Sequence, residues 1–382
     1  MAPNHFTRVA LRNFKGHVST NVPLSQFTLL VGANGTGKTS VLDAIRVVRD
    51  ALHLVGSATP AMGWRKLVQH KNEAEFIESL EVECVQRSIP EGFLSTKGSL
   101  DLSIKLDFSG GTAPIEFRLP FGPNQRPSFV GLTGTAAAQV RDEVSAELAK
   151  GALLLQLDTR AIVTPSQSQS EIPVIGADGS GLATALKELK ANDEARFDEF
   201  RRAVRAVIPL VEDFRFARRK RTASRSRSIR VEDQVIDVPE SYDVIEDELL
   251  IRFAGTGFIR ARAASEGTLI TIALLGLLYA NAQPPRLILI DDLDRGLHIE
   301  AQGELVRALR KVLEHHPDTQ IIATGHSPYL ADHFAPNDVV ILRRPSVGAP
   351  IEATRLSEHP DKVLREFKTG EALVATGKDW FG

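Results

Sequence analysis

The run Gly32-Ala33-Asn34-Gly35-Thr36-Gly37-Lys38-Thr39 fits G-x-x-x-x-G-K-[ST]. It constrains the fold more than any other stretch, because such a loop grips phosphate only between a strand and a helix. That setting is present. Phe27-Thr28-Leu29-Leu30-Val31 is an apolar strand leading into the loop, and Val41, Leu42, Ile45, Val48 and Leu52 share one face of a following helix. Glycines let successive N–H groups curl around an anion, and the helix start adds positive dipole. The loop therefore predicts a nucleoside triphosphate held by Asn34, Gly35, Thr36, Gly37, Lys38, Thr39 and Ser40. Lys38 would reach the β- and γ-phosphates, and Thr39 would be a ligand of Mg²⁺.

A chain of 382 residues can bury a large core and divide into two lobes. With 46 Lys+Arg against 48 Asp+Glu, global charge favours no partner, so any nucleic-acid surface must be a local patch. The single cysteine, Cys84, excludes an internal disulfide framework and reads as a small buried hydrophobe. The first residues carry no apolar signal core. The longest apolar stretch, Leu269 to Ala282, is too short to span a bilayer and reads as a buried helix. These features point to a soluble, cytoplasmic protein without a membrane partner.

Along the chain, 6–31 reads as two strands, Phe6 to Leu11 and the strand entering the loop. Strand-like runs follow at Ser79 to Gln86, Leu100 to Phe108 and Pro114 to Leu119, separated by Gly and Pro breaks, as in an antiparallel layer. Residues 136–150 and 182–208 read as helical, 164–181 as a loop, and 211–260 as strands again. From 286 to 345 strand and helix alternate, as in a parallel sheet. This gives three segments: an N-terminal lobe over 1–135, a helical insertion over 136–210 and a C-terminal lobe over 211–382. No heptad run predicts a long coiled-coil arm.

Four further stretches carry chemistry. Leu287-Ile288-Leu289-Ile290 is a buried strand ending in Asp291 and Asp292. Downstream of a phosphate loop, this is the Walker B pattern. Asp291 would hold Mg²⁺, and Asp292 would orient or deprotonate the attacking water. Ser265-Glu266-Gly267-Thr268-Leu269 opens the apolar helix. By itself it reads as an ordinary N-cap. Ile321 to Thr324 delivers Gly325-His326-Ser327-Pro328 to a strand end, where open α/β sheets bind ligands, so His326 would sense the γ-phosphate. Leu11-Arg12-Asn13-Phe14-Lys15 would bring Lys15 near the base or ribose.

Taken in order, NFKGH, GANGTGKT, SEGTL, LILIDD, GLH and ATGHSPYLAD resemble the ABC-type ATPase heads of the RecF, SMC and Rad50 superfamily. Within it the chain most resembles the stand-alone ATPases related to OLD (overcoming lysogenization defect) proteins. The resemblance implies an α/β head with a RecA-like mixed sheet, an antiparallel β layer and a helical insertion, with ATP and Mg²⁺ as cofactors. SEGTL resembles the signature motif, so Ser265 and Gly267 would bind the γ-phosphate held by a second copy in a head-to-tail dimer or higher homo-oligomer. The glutamine coupling metal to lobe rotation stays open among Gln69, Gln86, Gln167 and Gln169. Two departures stand out. Asp292 occupies a position where Glu is usual, which implies slow hydrolysis, and Gly296-Leu297-His298 replaces a Leu-Asp pair.

Arg215, Arg218, Arg219, Lys220, Arg221, Arg225, Arg227 and Arg230 form a basic run. It would bind DNA or RNA phosphates, chiefly through Arg218, Arg219, Lys220 and Arg221, or else pair with the acidic stretch Glu240 to Glu248. Phe214 and Phe216 read as core. Nothing resembles a second active site, and the tail from Thr369 resembles those of relatives paired with a separate effector. The implied function is a slow ATPase regulating a nuclease-like partner in anti-phage defence. The alternatives are a RecF-like DNA-maintenance factor and an ATP-bound scaffold.

Overall fold

Three β-strands precede the phosphate loop: β1 (Phe6–Phe14), β2 (His17–Pro23) and β3 (Phe27–Val31). In the computed structural model the described residues are 5–56, 101–108, 115–120, 128–130, 152–167, 173–231, 234–281, 285–346 and 349–358. The expected strand at 79–86, the expected helix at 136–150, Cys84, Gln69, Gln86, Gln169 and the tail from Thr369 lie outside them. The chain groups into two units, one of Met1–Leu155, Pro285–Arg295 and Arg310–Gly382, the other of Gln156–Pro284 and Gly296–Leu309. Both are discontinuous in sequence, unlike the contiguous segments 1–135, 136–210 and 211–382.

The first unit holds two sheets. Helix α1 (Lys38–Gly56) follows the phosphate loop, and strands β4 (Asp101–Phe108), β5 (Ile115–Pro120), β6 (Ser128–Val130) and β7 (Ala152–Leu155) come next. The five-stranded sheet β2-β1-β4-β5-β6 is antiparallel throughout, as the alternating patterns predict. The reading of 6–31 as two strands needs correction, because β1 and β2 are separate arms of a hairpin. Its turn has Asn13 and Lys15 at positive φ of 53° and 49°. Strand β2 escapes an apolar pattern because two of its three inward residues are polar: His17, Thr20 and Val22 are buried.

The second sheet uses β11 (Leu287–Ile290), β12 (Gln320–Thr324), β13 (Val339–Arg343) and β14 (Glu352–Arg355). Its order is β14-β13-β3-β12-β11-β7, parallel except for β14. Every residue of β3, β11 and β12 is buried, which explains their unbroken apolar character. Leu42, Ile45 and Val48 of α1 join Leu30, Leu289, Ile322 and Leu106 in one core. Gln320 stitches the two sheets together. Its amide oxygen accepts the Phe6 N–H at 2.9 Å, and its nitrogen donates to the carbonyls of Phe6 at 2.7 Å and Ser25 at 2.9 Å.

The second unit is built on helices α2 (Thr159–Val163), α3 (Leu182–Asn192), α4 (Glu194–Val207) and α5 (Glu266–Ala280). Residues 182–208 form two helices rather than one. Asp193, at φ −148°, leaves the helical region and caps α4 by accepting the Arg196 N–H at 3.0 Å. The apolar helix α5 is buried from Gly267 to Leu278, as its composition predicts. Strands β8 (Val211–Val231) and β9 (Gln234–Phe253) make a hairpin of 21 and 20 residues, with β10 (Phe258–Arg260) beside β9. Phe214 is core, buried against Phe197 and Phe200, and the half-buried Phe216 packs on Phe197. Helix α6 (Ile299–His315) starts in the second unit and ends in the first, and a short α7 (Pro328–Ala331) follows β12. Among the described residues no helix is long and apolar enough to cross a membrane.

Candidate functional site

Parallel strands β3, β12 and β11 are neighbours, so three loops leave adjacent carboxyl ends. Leu30 is level with Thr324, and Ala323 with Ile290. The register thereby gathers Gly32–Lys38, Asp291–Asp294 and Gly325–Ser327 at one edge. All of these residues belong to the first unit.

The phosphate loop is closed on itself. The Lys38 ammonium donates to the carbonyls of Gly32 at 2.8 Å and Ala33 at 3.1 Å, and the Thr36 hydroxyl donates to Ala33 at 2.8 Å. Thr36 and Lys38 are buried, while Asn34, Gly35 and Thr39 are exposed and Ser40 is half-buried. Burial pulls the Lys38 ammonium below the usual lysine value, and Asp292, Asp291 and Asp294 act to raise it. A buried cation facing three carboxylates is matched to a polyanion that arrives with its own counter-cation.

The Thr39 hydroxyl lies 3.1 and 3.2 Å from the two carboxylate oxygens of Asp291. This hydroxyl–carboxylate pair is an all-oxygen donor set, the kind Mg²⁺ takes from protein while phosphates and waters fill its remaining positions. The residues therefore fit the metal. Asp291 is held from behind by the Thr324 hydroxyl at 2.6 Å.

Asp292 and His326 meet: Nε2 of His326 lies 2.9 Å from Oδ1 of Asp292, and both side chains are partly exposed. Asp292 sits at φ 55°, a region that among side-chain-bearing residues favours Asn and Asp. Its N–H donates to the Thr324 hydroxyl at 2.8 Å. Two residues not anticipated from sequence set this geometry. Thr324 touches both Asp291 and Asp292. Asp294 accepts the N–H groups of His326 at 3.1 Å and Ser327 at 2.5 Å, fixing the loop that carries the histidine. A Thr ending a buried strand and an acid three residues past Asp291 were the available signals. Lys15, expected near the base or ribose, forms an ion pair with Asp43 of α1.

In the second unit Ser265 is the N-cap of α5, with its hydroxyl 2.9 Å from that of Thr268. Ser265 is exposed and Gly267 buried. Gly267 packs on the backbone of Gly296, whose carbonyl oxygen would stand 2.1 Å from any β-carbon at 267. The signature-like turn and the Gly296-Leu297-His298 segment are thus pressed backbone to backbone. Gln302, buried on α6, donates to the Leu297 carbonyl at 3.2 Å. His298 and Gln167 are exposed.

Of the basic run, Lys220 pairs with Asp243 at 2.8 Å and Arg221 with Glu246 at 2.7 Å. Arg218 and Arg219 are exposed.

Comparison with known proteins agrees with this layout. Residues 160–332 match the family described as "AAA domain, putative AbiEii toxin, Type IV TA system", and residues 6–108 match the AAA ATPase domain family. The DNA replication and repair protein RecF of Cronobacter sakazakii (strain ATCC BAA-894) is 30% identical over 106 residues. That match spans 28% of this chain and 28% of RecF. An Smc head bound to the C-winged helix domain of ScpA superposes at TM-score 0.53 and 17% identity, covering 92% of this chain and 98% of the head. The Smc head with a coiled coil and joint from Pyrococcus yayanosii superposes at TM-score 0.54 and 12% identity, covering 98% and 100%. The two AAA models match separate parts of the chain, and its fold is similar to that of the Smc heads. Its mixed α/β architecture is that of the ABC-type head.

Proposed function

We propose that this ABC-type head binds ATP with Mg²⁺ and hydrolyses it slowly, using ATP to join two copies head to tail. The observation carrying this reading is the convergence of Lys38, Thr39, Asp291, Asp292 and His326 on the carboxyl ends of three adjacent parallel strands. Mg²⁺ held by Thr39 and Asp291 would supply charge neutralisation at the phosphates. Lys38 leaves its loop carbonyls for the β- and γ-phosphates. Asn34, Gly35, Thr36, Gly37 and Ser40 line the cradle, and Lys15 is released from Asp43 toward the base or ribose. Asp292 orients the attacking water and accepts its proton, while His326 reports the γ-phosphate to the loop fixed by Asp294. Ser265 and Gly267 close over the γ-phosphate of a second copy.

The biological reading is a cytoplasmic regulatory ATPase of OLD-like type, acting on a separate nuclease-like effector in anti-phage defence. The match of 160–332 to the AbiEii-described family supports this direction. The RecF likeness over 106 residues supports a second reading, a DNA-binding ATPase in maintenance or repair. The ion pairs of Lys220 and Arg221 weigh against the basic run as its DNA surface. Phosphate release by purified protein, with and without DNA and with Lys38→Ala as control, tests the reading. We expect slow release that is lost in K38A. Stimulation by DNA alone would favour the RecF-like role. Equal release by K38A would remove the ATPase assignment, and no release by either protein would leave the ATP-bound scaffold.

A further inference from the structure

Behind the phosphate loop stands a buried histidine. His17 opens β2 immediately after the Lys15-Gly16 turn and is fully buried. Its Nε2 lies 3.1 Å from the Gly37 carbonyl oxygen, and its Nδ1 lies 3.1 Å from the Thr20 hydroxyl. That hydroxyl in turn lies 2.9 Å from the Ile351 carbonyl. Gly37, at φ 82°, has the imidazole where a side chain would be, with Nε2 2.4 Å from an added β-carbon.

Proton counting leaves two tautomers, each satisfying two of three contacts, and rigidity chooses between them. The chain from Gly37 oxygen through His17 and Thr20 to Ile351 oxygen contains three contacts. A neutral imidazole and one hydroxyl supply two protons between them. The Gly37 carbonyl can only accept, and its neighbour on that side is a rigid ring. The Thr20 hydroxyl can rotate between Nδ1 and the Ile351 carbonyl. The arrangement that satisfies the rigid contact puts the proton on Nε2, so His17 donates to Gly37. Burial drives the His17 pKa down to about 4, so the ring is neutral near pH 7 and contributes shape and one donor rather than charge.

The consequence falls on the next residue. The peptide joining Gly37 and Lys38 is planar and trans, so its carbonyl and its N–H point in opposite directions. The Gly37 carbonyl is gripped from two sides, by the Val41 N–H of its own helix at 3.2 Å and by His17 from the neighbouring sheet. Holding that carbonyl aims the Lys38 N–H, the first of α1, out of the helix start where an anion is bound. A glycine at positive φ allows this peptide more orientations than a residue with a side chain would, so a second contact beside that of Val41 narrows them.

We infer that His17 is a positioning residue of the phosphate loop, a neutral clamp that orients the Gly37–Lys38 peptide for phosphate. This rests on the nucleotide reading above. The test is titration of the full chain with a fluorescent ATP analogue, alongside thermal melts, for wild type, Lys38→Ala, His17→Ala, His17→Gln and Thr20→Val. Glutamine places an amide N–H near the reach of Nε2. The H17A protein should bind about tenfold more weakly, and H17Q should recover to within about threefold of wild type. T20V removes the partner on the far side of the ring, so it should melt earlier yet bind within about twofold of wild type. The inference is overturned if folded H17A binds like wild type. It is equally overturned if H17Q weakens binding as much as H17A, because the ring then only fills space, or if T20V does, because the loss then tracks destabilisation rather than the contact with Gly37. Binding that is absent in wild type, or unchanged in K38A, removes the nucleotide reading itself and this inference with it.

Discussion

At the scale of single residues, the proposed hydrolysis turns on Asp292. Asp292 is held at φ 55° by a backbone bond to Thr324 and a side-chain contact with His326. Asp tolerates this backbone better than Glu, so the shorter acid suits the local conformation. Its carboxylate then reaches one methylene less far toward water. If Asp292 is the base, as proposed, Asp292→Asn removes it while keeping shape, so phosphate release should fall at least ~10-fold with nucleotide affinity changed less than about twofold. Unchanged release in a single-turnover assay would rule out Asp292 as the base. Asp292→Glu should speed release and lower stability by about 1 kcal/mol or less, read from urea midpoints. His17 supplies a pH signature. Its folded pKa, about 4, lies below the unfolded value of 6.5, so stability is unaffected above pH 6.5 and falls as pH drops toward 4. The loss attributable to this group at pH 4.5 is about 2–3 kcal/mol. Urea midpoints at pH 7 and 4.5 should therefore fall further for wild type than for H17Q.

At the scale of elements, legibility followed chemistry. Strands β3, β11 and β12 were readable because burial on both faces makes them continuously apolar, and their end-loops carried the recognisable acids and histidine. Strand β2 was not, because His17 and Thr20 point inward and are satisfied by hydrogen bonds rather than by apolar packing. The break at Asp193 was hidden because the apolar faces of α3 and α4 continue across it. Thr324 and Asp294 act by holding their neighbours, through a hydroxyl on Asp291 and a carboxylate on two loop N–H groups, and their spacing alone was too weak a signal to find them. The β8–β9 hairpin shows a different limit. Both the basic run and the acidic stretch were visible, but only the ladder shows Arg219 opposite Glu246 and Arg218 opposite Asp247. Opposite charges across a ribbon favour this register and discourage β8 from pairing with another copy of itself. Glu246 is buried beneath Arg221, whereas Arg218 is exposed. Arg221→Ala should therefore cost about 1 kcal/mol of stability and Arg218→Ala less than about 0.5, compared by urea unfolding. Equal costs would mean the ribbon's ion pairs do not hold its register.

At the scale of the whole molecule, the open matter is assembly. Ser265 is exposed and already occupied with capping α5, while Gly267 is locked against Gly296. The cap satisfies the Thr268 N–H, and a helix start has further N–H groups to offer an anion, which fits the proposed role toward a second copy. The two roles of Ser265 separate experimentally. Ser265→Ala should cost about 1 kcal/mol as a lost cap whatever the assembly. If Ser265 binds phosphate in trans, the same variant should also lose ATP-driven dimerisation while its monomer binds nucleotide as wild type does. Native mass measurement provides the readout, with wild type expected to shift from monomer to dimer on adding ATP and Mg²⁺. Asp292→Asn should hold that dimer longer, because the γ-phosphate persists. Ser265→Gly keeps most of the capping stability, within a few tenths of a kcal/mol, while removing the hydroxyl. An S265G protein that dimerises normally would confine Ser265 to its cap and leave the trans site without its hydroxyl.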